Sequence, residues 1–184
     1  MTKVAFSGKE QNLSTIWQWY EDAQTAFNSY QRDTLNALFR GETIDEPFLF
    51  MTKVDVLNYF SEQKSELENL VILNIMASVE AMIRIDYLNR VYTRKKDSVS
   101  RCFRDLHKKK GVKASLENDI LKIWKQEQLS CKKAIDNFQQ ALKFRHWLAH
   151  GRYWTPKLGR TYNLNHIFDI AEQLLNALQI NPSF

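Results

Sequence analysis

At the centre of the chain the sequence reads LVILNIMASVEAMIRIDYL, residues 70–88. Drawn as a helix, this stretch is apolar on nearly every face, which is typical of a helix buried inside a bundle. The same helical pattern extends outward to about residues 52–92, well beyond the usual length of a β-strand. We therefore expect one long central helix against which the other elements of the fold pack.

The other predicted elements are helical as well. An aromatic-rich helix is expected at residues 13–39, followed by Gly41, because glycine commonly comes directly after the last turn of a helix. Further helical patterns cover, in chain order, a short amphipathic segment containing Val99 and Phe103, residues 115–128, residues 130–150, and a final segment capped by Asn163 or Asn165.

The composition agrees with a helical protein. Only 5 glycines and 3 prolines occur in 184 residues, and neither a strand pattern nor an internal repeat is apparent. The predicted fold class is all-α, an antiparallel helical bundle. We expect the bundle at residues 51–184 and an N-terminal helical extension at residues 1–50.

Composition also bears on the cellular location. No run of eighteen apolar residues is present, so a membrane-spanning helix is not expected. The first eight residues lack the apolar core of a signal peptide. Cys102 and Cys131 form no CxxC pair and predict neither a disulfide framework nor a metal site. We expect a reduced, cytoplasmic protein that needs no metal and no cofactor.

Positive charge is concentrated in residues 90–113, where ten basic residues stand against two acidic ones and give a net charge of +8, compared with +5 for the whole chain. Such a basic surface favours a polyanionic partner. The predicted RNA-binding residues here are Arg101, Arg104, Lys108, Lys109 and Lys110. The alternatives are a solvated loop, or lysines that face the negative end of a short helix stopping at Gly111.

Two charged residues occupy positions where the helical pattern calls for an apolar side chain. Arg145 lies on the stripe that contains Phe138 and Leu142, and Glu80 lies on the stripe that contains Met76 and Ile83. A charge on a core-facing stripe is unfavourable unless it is paired. We expect Glu80 to hold Arg145 by charge-assisted hydrogen bonds. The alternative is a purely structural buried pair.

A candidate catalytic group surrounds this arginine. His150 follows Arg145 by five residues, about 140° around an ideal helix, but Gly151 predicts a helix end that lets His150 turn back. Arg145 would bind a phosphate, and His150 would take a proton from a ribose 2′-hydroxyl or give one to the leaving 5′-oxygen. His146 would orient the substrate or act as the second proton-transfer group; the alternative is a surface histidine.

The stretch Arg145-His146-Trp147-Leu148-Ala149-His150-Gly151 resembles the R-x4-6-H signature of the HEPN superfamily, including its RiboL-PSP-HEPN-like members. Ser78-Val79-Glu80 is similar to the polar pair on an early helix of that family. The resemblance covers roughly residues 52–180. It implies a metal-independent endoribonuclease whose homodimer combines two motifs in one composite cleft. Members act as toxins, antiphage effectors or RNA-processing enzymes.

Two positions depart from the family pattern. The residue after the arginine is usually Asn or Asp, and here it is His146. Toxins that pair with a nucleotidyltransferase antitoxin carry tyrosine two residues after the histidine, where this chain has Arg152. Arg152 is expected to add a phosphate contact. Tyr153 one residue later keeps an antitoxin protein among the expected partners.

The function predicted for the chain is therefore RNA cleavage, by a toxin or a defence effector. The first alternative is a non-catalytic HEPN-like module that binds nucleic acid or protein. The second is a helical adaptor whose aromatic N-terminal helix docks a partner.

Overall fold

The computed structural model describes residues 3–180, which contain six α-helices and no β-strand. The helices are α1 (Leu13–Arg40), α2 (Lys53–Tyr92), α3 (Ser98–Lys110), α4 (Lys122–Glu127), α5 (Lys132–Ala149) and α6 (Leu164–Ala177). The predicted all-α helical bundle is confirmed. Within the described part of the chain, no helix is both long enough and apolar enough to cross a bilayer.

The described residues form two compact units, residues 14–71 and residues 3–13 together with 72–180. The limit at residue 71 falls inside α2. The division predicted from the sequence, residues 1–50 and 51–184, has other limits and stays a prediction.

The unit of residues 14–71 is an antiparallel pair of helical segments from α1 and α2. Its aromatic core is built on Phe48, Val56 and Phe60, with the Phe48 and Phe60 rings stacked 5.7 Å apart. The chain between the helices forms a 3₁₀ turn at Glu46–Phe48. Phe50 follows with a φ of +69° and a wholly exposed ring, a backbone conformation that bulky residues rarely adopt.

The other unit holds the C-terminal half of α2 and helices α3 to α6. Its centre is formed by fully buried apolar side chains, among them Ile75, Val79 and Ile83 of α2, Phe103 of α3, Trp124 of α4, Ile135 and Phe138 of α5, and Ile167 and Leu174 of α6. The segment before α1 also belongs to this unit, since the Gln11 side chain accepts a 2.8 Å hydrogen bond from Asn74. Helix α2 thus contributes buried side chains throughout its C-terminal half, as its apolar pattern predicted.

The helix limits agree closely with the sequence patterns, because the signals at the ends are local. After α1, the N–H of Gly41 bonds to Leu38 and that of Glu42 to Ala37, which is the hydrogen-bond pair of a Schellman cap. Asn163, and not Asn165, caps α6 by accepting a 2.9 Å bond from the N–H of His166. The helix predicted at residues 115–128 consists of a π-helical turn, Leu116–Leu121, followed by α4. A 3₁₀ turn at Leu129–Cys131 separates α4 from α5.

Candidate functional site

A cleft of about 530 Å³ opens beside the C-terminal part of α5. Helix α2 lines it with Glu80 and Arg84, and α5 lines it with Lys143, Arg145 and His146. The rest of its wall comes from Ser115, Leu116 and Glu117 at the start of the π-helical turn, from Leu142, and from Trp154, Pro156, Lys157 and Leu158 in the loop between α5 and α6. All of these residues belong to one compact unit.

Arg145 and Glu80 meet in this cleft. The Nε atom of Arg145 lies 3.3 Å from Oε1 of Glu80, so the predicted ion pair is present. The Nε atom itself is buried and makes no hydrogen bond. The contact is therefore an ion pair rather than the aligned hydrogen bond that was expected. The side chains remain 34% and 21% exposed, so the pair faces the cleft instead of being sealed in the core.

The end of α5 fixes the position of His150. Gly151 has a φ of +78°, its N–H bonds to Leu148, and the N–H of Arg152 bonds to Trp147. These two bonds form a second Schellman cap and confirm the predicted helix end at Gly151. His150 occupies the last position before the turn, with φ and ψ of −98° and 22°.

The structure brings the two histidines of the motif together. The ring centroids of His146 and His150 are 4.1 Å apart and the rings are tilted by 53°. Both side chains are exposed. Arg145 and His146 line the cleft, whereas His150 is not among its lining residues. Of the three predicted catalytic residues, His146 therefore links the cleft to His150.

The loop after α5 is tied to the helix by tryptophan. The indole Nε1 of Trp147 donates a 2.7 Å hydrogen bond to the carbonyl oxygen of Trp154. The Trp147 ring is stacked on Phe144 with centroids 5.7 Å apart, so this anchor is itself held by packing. As a result, the Trp154 ring lies 6.1 Å from His146 and forms part of the cleft wall.

Three cations of the cleft were not predicted as site residues: Arg84, Lys143 and Lys157. Arg84 follows Glu80 by four residues on α2, which places both on the same face of the helix. The position of Arg84 could therefore have been predicted from the sequence. Lys157 lies in the loop between α5 and α6, and its place in the cleft depends on how that loop folds. With Arg145, the cleft has four cations against the carboxylates of Glu80 and Glu117, a balance that attracts anionic ligands.

The basic residues predicted to bind RNA lie outside the cleft lining. Helix α3 carries Arg101 through Lys110, and two of its lysines are already ion-paired. Lys108 lies 3.0 Å from Asp105, and Lys110 lies 2.7 Å from Asp119. These lysines stand in the last turn of α3 before Gly111, which is the arrangement that the helix-end alternative requires. Their role in RNA binding stays a prediction, as does that of Arg152, an exposed residue with a φ of +58°.

Both of these ion pairs lower the pKa of their carboxyl group: a hydrogen bond from Lys108 does so for Asp105, and the effect on Asp119 reaches the cleft wall. Hydrogen bonding to the Lys110 ammonium and to the N–H of Ser115 holds the pKa of Asp119 below its ordinary value. The Asp119 side chain is 13% exposed. The segment that follows α3 is thus fixed by charge where it leads into the cleft wall at Ser115.

No protein-family model matches the sequence, and no curated protein and no solved structure is significantly similar to it. Functional inference therefore rests on the residues of the cleft and of the motif. Across residues 3–180, no three His, Cys, Asp or Glu side chains cluster as a set of metal ligands.

Proposed function

We propose that this protein is an endoribonuclease of the HEPN type, in which Arg145, His146 and His150 cleave RNA by acid–base chemistry that uses no metal ion. The observation that carries the proposal is the pair of imidazoles 4.1 Å apart, one of which adjoins Arg145 in a cleft lined by four cations. Phosphodiester cleavage requires a proton acceptor, a proton donor and a cation at phosphorus, and these residue types provide all three.

In the proposed reaction one imidazole removes the proton from a ribose 2′-hydroxyl. The 2′-oxygen attacks the adjacent phosphorus, and the bond from phosphorus to the 5′-oxygen breaks. The other imidazole gives its proton to that leaving oxygen, so the products are a 2′,3′-cyclic phosphate and a 5′-hydroxyl. Arg145 binds the non-bridging oxygens as negative charge grows on them. Glu80 positions the guanidinium through the 3.3 Å contact with its Nε.

The proposal includes a homodimer. One copy of the chain supplies a single Arg145, and His150 stands exposed beside the cleft rather than within its lining. A two-fold axis next to the motif would add the same groups from a second copy and complete the site. Exposed motif residues at the end of α5 support this arrangement.

The wider biology of the proposal follows from the resemblance to the HEPN superfamily. A toxin or antiphage effector of this type acts on cytoplasmic RNA and is restrained by an antitoxin protein. A neutralising partner would have to cover the cleft or block the second copy of the motif.

The second candidate function is a module of the same fold that binds nucleic acid without cutting it. It is favoured by two observations: Glu80 partly neutralises Arg145, and His150 is absent from the cleft lining. The cationic cleft would then hold phosphates, and the histidines would carry no chemistry.

RNA cleavage in the presence of EDTA separates the two candidates. The pure protein is compared with Arg145→Ala, His146→Ala and His150→Ala on fluorescent single-stranded RNA. His166→Ala and Arg32→Ala serve as matched controls, because these residues lie outside the cleft lining. We expect the wild type and the two controls to cleave RNA and to leave 2′,3′-cyclic phosphate ends, and the three motif variants not to cleave it. RNA binding without cleavage supports the module, and equal cleavage by every variant points to a contaminating nuclease.

A further inference from the structure

Tyr153 presents an open aromatic ring next to Trp154, which lines the cleft. Its side chain is 83% exposed, although tyrosine buries a large apolar area when it packs in a core. Its ring contacts that of Trp154 edge to face, with centroids 4.6 Å apart and planes inclined by 71°. One neighbour thus supports the ring from the side and leaves most of its surface open to solvent.

The backbone around this ring is held in a defined conformation. Gly151 and Arg152 have consecutive positive φ values of +78° and +58°, which reverse the chain at the end of α5. On the far side of Tyr153, the carbonyl of Trp154 is fixed by the 2.7 Å bond from Trp147. The exposed ring is therefore carried by a short turn anchored at both ends, and not by a free loop.

The rings of Tyr153 and Trp154 lie close to the histidines of the proposed reaction. Trp154 is 6.1 Å from the His146 ring, and His146 is 4.1 Å from the His150 ring. The Tyr153 ring contacts Trp154 in turn, with centroids 4.6 Å apart. A strand whose phosphate lies at Arg145 would bring an adjoining base to this pair of aromatic rings.

We propose that Tyr153, supported by Trp154, is a stacking platform for an unpaired base of the nucleic acid bound in the cleft. The proposal deepens the nuclease function and rests on it for the position of the phosphate at Arg145. Bases stack on aromatic side chains only when they are not already stacked within a duplex. The substrate class is therefore single-stranded nucleic acid or an unpaired loop, and Tyr153 is the residue that selects it.

Binding of an uncleavable strand tests the platform separately from catalysis. The probe is a fluorescein-labelled single-stranded deoxyadenosine oligonucleotide of about 12 nucleotides, a length within the range of single-strand binding sites. It lacks the 2′-hydroxyl that the reaction needs. Fluorescence anisotropy gives Kd for the wild type, Tyr153→Ala, Tyr153→Phe and a matched control, Phe39→Ala, which removes an aromatic ring that is 92% exposed and outside the cleft lining.

We expect Tyr153→Ala to raise Kd about tenfold, and Tyr153→Phe and Phe39→Ala to leave it near the wild-type value. Hybridising the probe to its complement should weaken wild-type binding and abolish the difference between wild type and Tyr153→Ala. Equal Kd values for wild type and Tyr153→Ala would overturn the platform. So would a change of oligomeric state in Tyr153→Ala, measured by sedimentation, because the ring would then be an anchor between subunits.

The cleavage assay on RNA completes the separation. If the wild type cuts RNA and Tyr153→Ala binds the uncleavable probe normally, the platform fails and the nuclease stands. If the wild type never cuts RNA but Tyr153→Ala loses affinity for the probe, the nuclease fails and base stacking in the cleft stands. If the wild type does not bind the single-stranded probe, the platform fails, and cleavage of RNA by the wild type alone decides whether the nuclease stands.

Discussion

Arg145 Nε lies 3.3 Å from Oε1 of Glu80, and both side chains line the same cleft. Each residue replaces an apolar side chain on a core-facing helical stripe, and the fold brings the two exceptions together. Because the Arg145 side chain is 34% exposed and lines the cleft, a ligand in the cleft can contact it. A sealed structural pair would have left none of its polar atoms accessible.

Replacing Glu80 by Gln keeps the shape of the side chain and removes its charge. Since partly exposed ion pairs contribute about 0.2–1 kcal/mol, we expect Tm to fall by no more than about 4 °C. RNA cleavage should fall at least about tenfold, because Arg145 loses the group that orients it. Thermal denaturation and initial cleavage rates on one preparation give both numbers. Full activity in a protein that melts much earlier would support the purely structural alternative.

Two pairs of lysines, one in the cleft and one on α3, can be compared to find which surface binds nucleic acid. Each phosphate contact on a single strand contributes about −0.7 to the slope of log K against log salt. We expect the double variant Lys143→Ala, Lys157→Ala to flatten that slope by about 1.4 for a single-stranded oligonucleotide. Lys108→Ala, Lys110→Ala is the matched comparison, and it should change the slope less because both lysines already have carboxylate partners. A larger change from the α3 pair would instead establish α3 as the nucleic-acid surface.

Asp119 should make the stability of the protein depend on acid pH. Its pKa in the folded protein is lowered, chiefly by the Lys110 hydrogen bond, so its ionised form stabilises the folded state. That contribution is complete above the unfolded-state pKa of about 3.9 and disappears as the pH falls through the lower folded-state value. The Tm values of wild type and Asp119→Asn should therefore differ at pH 7 and converge as the pH falls below the folded-state pKa of Asp119. A Tm difference that is independent of pH would show that Asp119 acts through its shape alone.

Alanine substitutions at Gly151 and Gly41 can separate the effect of a helix cap on stability from its effect on RNA cleavage. Both end a helix in a Schellman cap with φ values of +78° and +68°, and a Cβ at either would meet no atom within 4 Å. Alanine at each position should therefore lower stability by the backbone penalty alone, about 1 kcal/mol. Only Gly151→Ala should also reduce RNA cleavage, because Gly151 sets the direction of His150 and Tyr153. Equal activity of the two alanine variants, measured below their Tm, would argue against a functional turn at residue 151.

The fold was predictable where its signals are local. Gly41, Gly151 and Asn163 mark helix ends through backbone requirements that a sequence displays directly, and the apolar run of α2 predicts its burial. The Glu80 and Arg145 pair was also predictable, because both residues interrupt otherwise apolar stripes. Each of these inferences needs only helical periodicity and the unfavourable free energy of burying an unpaired charge.

The rest of the site depends on how segments pack, which periodicity does not encode. Lys157 reaches the cleft because the loop after α5 is tied down by Trp147. Lys110 is paired with Asp119 across the turn that follows α3, so a charge counted as available for RNA has a partner in the fold. By contrast, the contact of His150 with His146 follows from their four-residue spacing, because the N–H of His150 still bonds to the carbonyl oxygen of His146 and such residues share one face of a helix.

Phe50 has a practical consequence for handling the protein. Its ring lies wholly in water and its φ is +69°, so it contributes no packing while its backbone occupies a conformation that suits asparagine or glycine better. The substitution Phe50→Asn would reduce the backbone strain and would also remove an exposed apolar ring that favours aggregation. Yield and crystallisation of the Phe50→Asn variant should improve, and the cleft lining, to which Phe50 does not belong, is left unchanged.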